Sequence, residues 1–182
     1  MLKHKDQRVG VFVDVQNMYY SARNLFGSRA NFGKILEQAV GDRKLIRAIA
    51  YVIKAEAPEE AKFFEALDKQ GFELKMKDLQ VFVGGAKKGD WDVGVAIDAI
   101  SMAPKLDVVV LATGDGDFIP LVQFLQFLGL RVEIIAFSET ASAKLIEQAD
   151  DFCNLSLEKN KFLIRSKILS FVSLSNMVIT FL

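Results

Sequence analysis

Histidine and cysteine are nearly missing from this 182-residue chain, which holds one of each, His4 and Cys153. A lone cysteine excludes an internal disulfide framework and fits a reducing, cytoplasmic setting. A lone histidine, set in the charged opening "MLKHKDQR", excludes Ser-His-Asp and Cys-His catalysis and histidine-ligated zinc. Net charge is missing as well: 23 basic residues balance 23 acidic ones. No whole-molecule field therefore recruits a polyanion, which would have to be met by a local patch. The opening residues are polar and run straight into a strand, so no signal peptide is expected. The uncharged stretch 168–182 is about five residues short of a spanning helix, and no membrane partner is expected. Internal repeats and linkers are absent too.

What remains for chemistry is carboxylate. An all-carboxylate site suits a hard cation, Mg²⁺ or Mn²⁺.

The chain is 51% apolar and 25% charged, ordinary for one domain with a short extension. Strands are expected at 9–15, 45–53, 107–113 and 131–137, with one or two shorter ones over 71–78 and 79–84. Their near-continuous apolarity implies burial on both faces, hence a parallel sheet between helical layers. Helices are expected at 17–26, 32–40, 58–70 (Pro58 opening it), 91–103, 117–128 and 140–148. This is an α/β fold with right-handed crossovers. Residues 1–7 read as a flexible segment, 8–157 as the domain, and 158–182 as an apolar extension. That extension keeps rough helical spacing and suits packing on the domain or on a partner, including a homo-oligomer.

Ligands of open α/β sheets bind beyond the carboxyl ends of the strands. Asp14 lies there in "VFVDVQN", flanked by Val13 and Val15, which argues for a strand residue over a simple cap. Asp115 and Asp117 follow the third strand in "LATGDGDF". One of them can cap the next helix, but two carboxylates about 4 Å apart repel by ~4 kcal/mol at an effective dielectric near 20. Gly114 and Gly116 allow close approach or positive φ. The pair therefore reads as a ligand-holding loop.

"KKGDWDVGVAIDAI" (87–100) adds Asp90, Asp92 and Asp98. With Asp90 as N-cap, Asp92 falls in the first turn. At roughly 100° per residue, Val93, Ala96, Ile97 and Ile100 form the expected core stripe. Asp92 flanks it and Asp98 points nearly opposite, although Val95, Ala99 and Met102 make that side apolar too. Asn17 is either the N-cap of its helix or a side chain facing the same cleft. Lys87 and Lys88 precede the acidic helix and could meet a phosphate.

Together "VFVDVQNMYY", "KKGDWDVGVAIDAI", "LATGDGDFIPLVQFLQFLGLRVEIIAF" and "SAKLIEQADDF" resemble the NYN domain, the LabA-like or DUF88 branch of the PIN-like nuclease superfamily, over roughly residues 8–155. The resemblance implies a three-layer PIN-like, Rossmann-like α/β sandwich with a central, mainly parallel sheet. It also implies metal-dependent cleavage of RNA, single-stranded for preference. By position, the catalytic and metal-binding carboxylates would be Asp14, Asp92, Asp115 and Asp117, holding Mg²⁺ or Mn²⁺, with Asn17 and Asp98 in support. The departure is "GDWD", where the family more often has one aspartate, so Asp90 rivals Asp92 as a ligand.

Two rivals stand beside the nuclease. A haloacid-dehalogenase-like phosphatase also ends a strand in "GDG", but it needs an aspartate two residues after its nucleophile, and position 16 is Gln. A non-catalytic nucleic-acid-binding or regulatory module would keep the acidic pocket without turnover.

Overall fold

The computed structural model describes residues 3–54, 60–81 and 87–164, with 80–81 and 87–88 described by backbone alone. In chain order its elements are β1 (Arg8–Asp14), α1 (Val15–Phe26), β2 (Arg29–Ala30), α2 (Phe32–Val40) and β3 (Lys44–Lys54). Then come α3 (Glu60–Lys69), β4 (Glu73–Asp78), β5 (Gln80–Val81), β6 (Lys87–Lys88), α4 (Asp92–Met102) and β7 (Val108–Ala112). The chain continues through α5 (Ile119–Phe127), β8 (Arg131–Ala136), α6 (Ala143–Gln148), β9 (Asp151–Asn154), α7 (Lys159–Phe162) and β10 (Leu163–Ile164).

Six strands form one parallel sheet in the order β4-β3-β1-β7-β8-β9. Side chains alternate across it, as the strand period of two requires. Val9, Val11, Val13, Val108 and Val110 enter one core with Met18 of α1 and Ile35 of α2. Phe12, Val109 and Leu111 enter the other, under Ala99 of α4 and Leu125 of α5. Both faces are covered, so the central strands are apolar at nearly every position. The expected three-layer α/β class is correct.

One local expectation is corrected and three local features are added. First, α4 is turned over: Val95, Ala99 and Met102 are buried, whereas Val93, Ile97 and Ile100 of the expected stripe are exposed. Both stripes are apolar, so periodicity could not choose between them. Polar anchors chose instead, since Asp98 accepts from Tyr51 Oη and Lys75 Nζ, each at 2.7 Å, and turns that flank inward. Second, the opening segment is pinned from Lys3 onward. Lys3 pairs with Glu133 and Asp151, and the Gln7 carbonyl accepts from the Lys44 amide. Third, β9 completes the sheet edge at "DFCN", too short and polar to read as a strand. Fourth, the extension begins inside the body. Phe162 is buried, its carbonyl accepts from the Asn31 amide, and β10 pairs antiparallel with β2. Residues 165–182, the opening of the expected helix at Pro58 and the second half of the 79–84 strand lie outside the described residues.

Candidate metal centre

Strand order reverses between β1 and β7, which opens a crevice beyond their carboxyl ends. β1 ends in Asp14, β7 runs into the glycine loop, and α4 begins at Asp92. Asp92, Asp115 and Asp117 each offer a carboxylate oxygen within 4.8 Å of the others. Asp14 stands outside that trio, yet near enough for the charges of Asp92 and Asp115 to act on it.

Asp14 is both strand end and cap. The chain passes from β1 into α1 with no loop, so its Oδ1 accepts from the Asn17 amide at 3.0 Å. The flanking valines argued against a cap, and on that point the sequence reading is corrected. Burial, with the negative charges of Asp92 and Asp115, outweighs the downward pull of the Asn17 and Gln16 amides and leaves the carboxyl raised to about 6. Asn17 is therefore not the cap. Its Oδ1 instead accepts from the Gly114 amide at 2.9 Å, tying the first turn of α1 to the glycine loop.

The loop is held from within. Buried Thr113 accepts from the Asp115 amide at 3.2 Å, and Asp115 Oδ1 accepts from the Asp117 amide at 2.9 Å. Asp115 thus caps a 3₁₀ turn over 116–118, which places Asp117 in its first turn. Positive φ is not the reason for the glycines, because neither Gly114 nor Gly116 adopts it. Close approach is: a Cβ on Gly114 would sit 2.9 Å from the Ala141 backbone, and one on Gly116 would sit 3.0 Å from Ser142 Oγ.

Asp92 is placed by its neighbour. Trp91, not Asp90, precedes the helix, and it makes no side-chain cap. Instead its indole Nε1 donates to the Val52 carbonyl at 2.9 Å, and its ring lies 5.3 Å from that of Tyr51. Gly94 leaves room for the ring, since a Cβ there would meet it at 2.5 Å. The Lys77 ammonium sits 5.5 Å from the indole centroid and donates to the Asp90 carbonyl. Nothing in the sequence beyond this being the only tryptophan marked Trp91 as an anchor. Asp90 lies outside the trio, and so does Asp98, which is committed to Tyr51 and Lys75. The backbone of Lys87 and Lys88 forms β6, opposite β5 and just before the acidic helix; their side chains lie outside the described residues.

Among the described residues, no lysine or arginine forms an ion pair with Asp14, Asp115 or Asp117. Asp115 and Asp117, gathered with no ion pair among the described residues, repel each other at a cost. Oxygen donors at this spacing, with no histidine or thiolate, fit a hard divalent cation. Asp92, Asp115 and Asp117 would hold it, with Asp14 beside them.

Comparison with known proteins gives the family and the fold. The NYN domain family profile matches residues 8–157. The chain is similar to the low amplitude and bright protein LabA of Synechococcus elongatus, 20% identical over 161 residues that cover 84% of this chain and 86% of that one. It is also similar to the uncharacterized protein MJ0482 of Methanocaldococcus jannaschii, 30% identical over 116 residues, 56% of this chain and 44% of the relative. A crystal structure of a protein of unknown function, VPA0982 from Vibrio parahaemolyticus, matches with a TM-score of 0.80 and 33% identity. That match covers 90% of this chain and all of the other.

Proposed function

This chain belongs to the NYN domain family, within the PIN-like nucleases, and from that premise we propose that it is a metal-dependent ribonuclease acting on single-stranded RNA. The observation that carries the reading is the convergence of Asp92, Asp115 and Asp117 within 4.8 Å at the switch point of the sheet. Bound there, Mg²⁺ or Mn²⁺ would activate a water and offset charge on the phosphodiester.

The chain's own part is positional. Asp115 and Asp117 are fixed by the Thr113 and Asp115 hydrogen bonds, and Asp92 by the Trp91 anchor. These bonds fix the backbone from which the three carboxylates would reach a cation. Asp14, whose burial already favours its protonated form, is the group best suited to take a proton near the cluster when no cation opposes it. Asn17 supports the site by holding the glycine loop. On the substrate side, overall neutrality calls for local contacts. Lys77 beside Trp91 is the described cation placed to meet phosphates, and Lys87 and Lys88 remain candidates from their place just before α4 in the chain.

The test is incubation of the protein with single-stranded RNA and Mn²⁺. The reading expects cleavage that stops with EDTA and falls at least ~100-fold in Asp115→Asn, as loss of one charge-stabilising group typically does. RNA that is bound but not cut, with or without metal, would replace the nuclease by the non-catalytic binding module.

A further inference from the structure

The helices α4 and α5 cover the same core, through Val95, Ala99 and Met102 on one and Leu121, Val122 and Leu125 on the other. One flank of α5 is taken by α6 and β9, since Gln123 and Gln126 bond to Gln148 and Asp150. At about 100° per residue, Phe124 and Leu128 then lie on the flank toward α4. One flank of α4 is likewise taken, by Asp98 on Tyr51 and Lys75. Ile100, away from that flank, lies on the side toward α5.

The outward surface of this pair is apolar, and among the described residues nothing covers it. Val93 is 69% exposed, Ile97 58%, Ile100 39%, Phe124 43%, Phe127 84% and Leu128 46%. α5 carries no charged residue at all. The two charges of α4 are engaged elsewhere, Asp92 in the acidic trio and Asp98 with Lys75. Helices facing water ordinarily carry a charged stripe; α3, with the sequence EAKFFEALDK, does.

We propose that the α4–α5 face is the contact surface between two copies of this chain. A two-fold contact sets the same patch against itself, so a patch charged with one sign would repel its copy. This one has no charge to repel. With each large side chain offering on the order of 200 Å², the six exposed groups leave roughly 600 Å² of apolar surface in water. That is at the upper limit for a monomer's largest patch, about 300–600 Å², and is most of the ~800 Å² that each partner gives to a stable interface. The polar rim, Gln123 and Ser101 among it, supplies the remainder. The proposal places the contact on the folded body rather than on residues 165–182.

The test is the mass of the full chain in solution, by light scattering and by sedimentation velocity at micromolar concentration. The wild type is expected to be a dimer, and the double variant Ile97→Glu with Phe127→Glu a monomer. Both positions are exposed, so the variant should keep the wild-type circular dichroism and melting temperature. The single variant Phe127→Gln, which adds no charge, should weaken association at least tenfold. A monomeric wild type overturns the proposal and leaves the face to a different partner. A dimer that survives both glutamates overturns it as well, and moves the contact to another surface such as residues 165–182.

Discussion

The two ends of the sheet treat carboxylates in opposite ways. At the amino end three of them have a described cation. Asp107 pairs with Arg8 at 2.8 Å, Asp151 with Lys3 at 3.1 Å, and buried Glu133 takes both Nη1 and Nη2 of Arg43 at 2.9 and 3.0 Å. Arg8 holds the Asp107 carboxyl below its ordinary range. Burial alone would raise Glu133, but hydrogen bonds from Arg43 and Arg131 outweigh it and bring it down. At the carboxyl end Asp14, Asp115 and Asp117 have no lysine or arginine among the described residues, and burial with neighbouring negative charge pushes Asp14 up to about 6. The chain can neutralise a buried carboxylate when structure is all that is wanted. Where it does not, the proposed cation would supply the positive charge.

Breaking the amino end should cost the most stability. Arg43→Met leaves Glu133 buried without its bidentate partner, and removing one member of a buried pair costs about 3–5 kcal/mol. Arg131, 2.8 Å from the same carboxylate, offsets part of it, so the expected loss is near ~3 kcal/mol in urea unfolding. Affinity for Mn²⁺ should not change. A matching loss of Mn²⁺ binding would mean that the two ends are not independent.

Relieving the carboxyl end should do the reverse. Asp14 is about 6 in the folded protein against 3.8 as its reference, so the folded state binds more protons between those values. Metal-free stability therefore falls as pH rises from about 4 to 6. Asp14→Asn keeps the oxygen that caps α1 and removes the titration. Without metal it should be more stable than wild type above pH ~6, by at most ~3 kcal/mol, and equal to it below pH ~4. Thermal melts in EDTA across that range check this. A variant that melts lower at neutral pH would show the charge to be structurally favourable, contrary to the comparison.

Much of this was legible in the sequence, for a physical reason. Val9, Val11 and Val13 are buried on one face of β1 and Phe12 on the other, and the run 108–112 alternates between both cores, so a parallel sheet could be read from unbroken apolarity. Aspartates at strand ends pointed to the candidate site, because that is where an α/β sheet can leave polar groups open. The rotation of α4 was not legible, since Val93, Ile97 and Ile100 are as apolar as Val95, Ala99 and Met102. It is decided by Asp98 with Lys75 and by Trp91 with Val52, contacts between residues 23 and 39 positions apart. Nor was the double duty of Asp14, which follows from β1 and α1 meeting without a loop.

Trp91→Phe sharpens the comparison at its smallest scale. The ring remains over Gly94, but the Val52 carbonyl loses its donor, worth about 1 kcal/mol. Mn²⁺ affinity should fall several-fold through a less fixed Asp92, while the melting temperature in EDTA drops slightly. An affinity equal to wild type would remove Trp91 from the positioning of the site.

Calorimetric titration of Mn²⁺ into wild type and Asp115→Asn at neutral pH, with melts of the same samples, tests the central claim most directly. The account predicts saturable binding to wild type and a stabilisation near ~2.7 kcal/mol at a hundredfold excess over the dissociation constant. It predicts that both are largely lost in Asp115→Asn, whose metal-free melt is unchanged or higher. Binding and stabilisation that are equal in the two proteins, or absent from both, would contradict it.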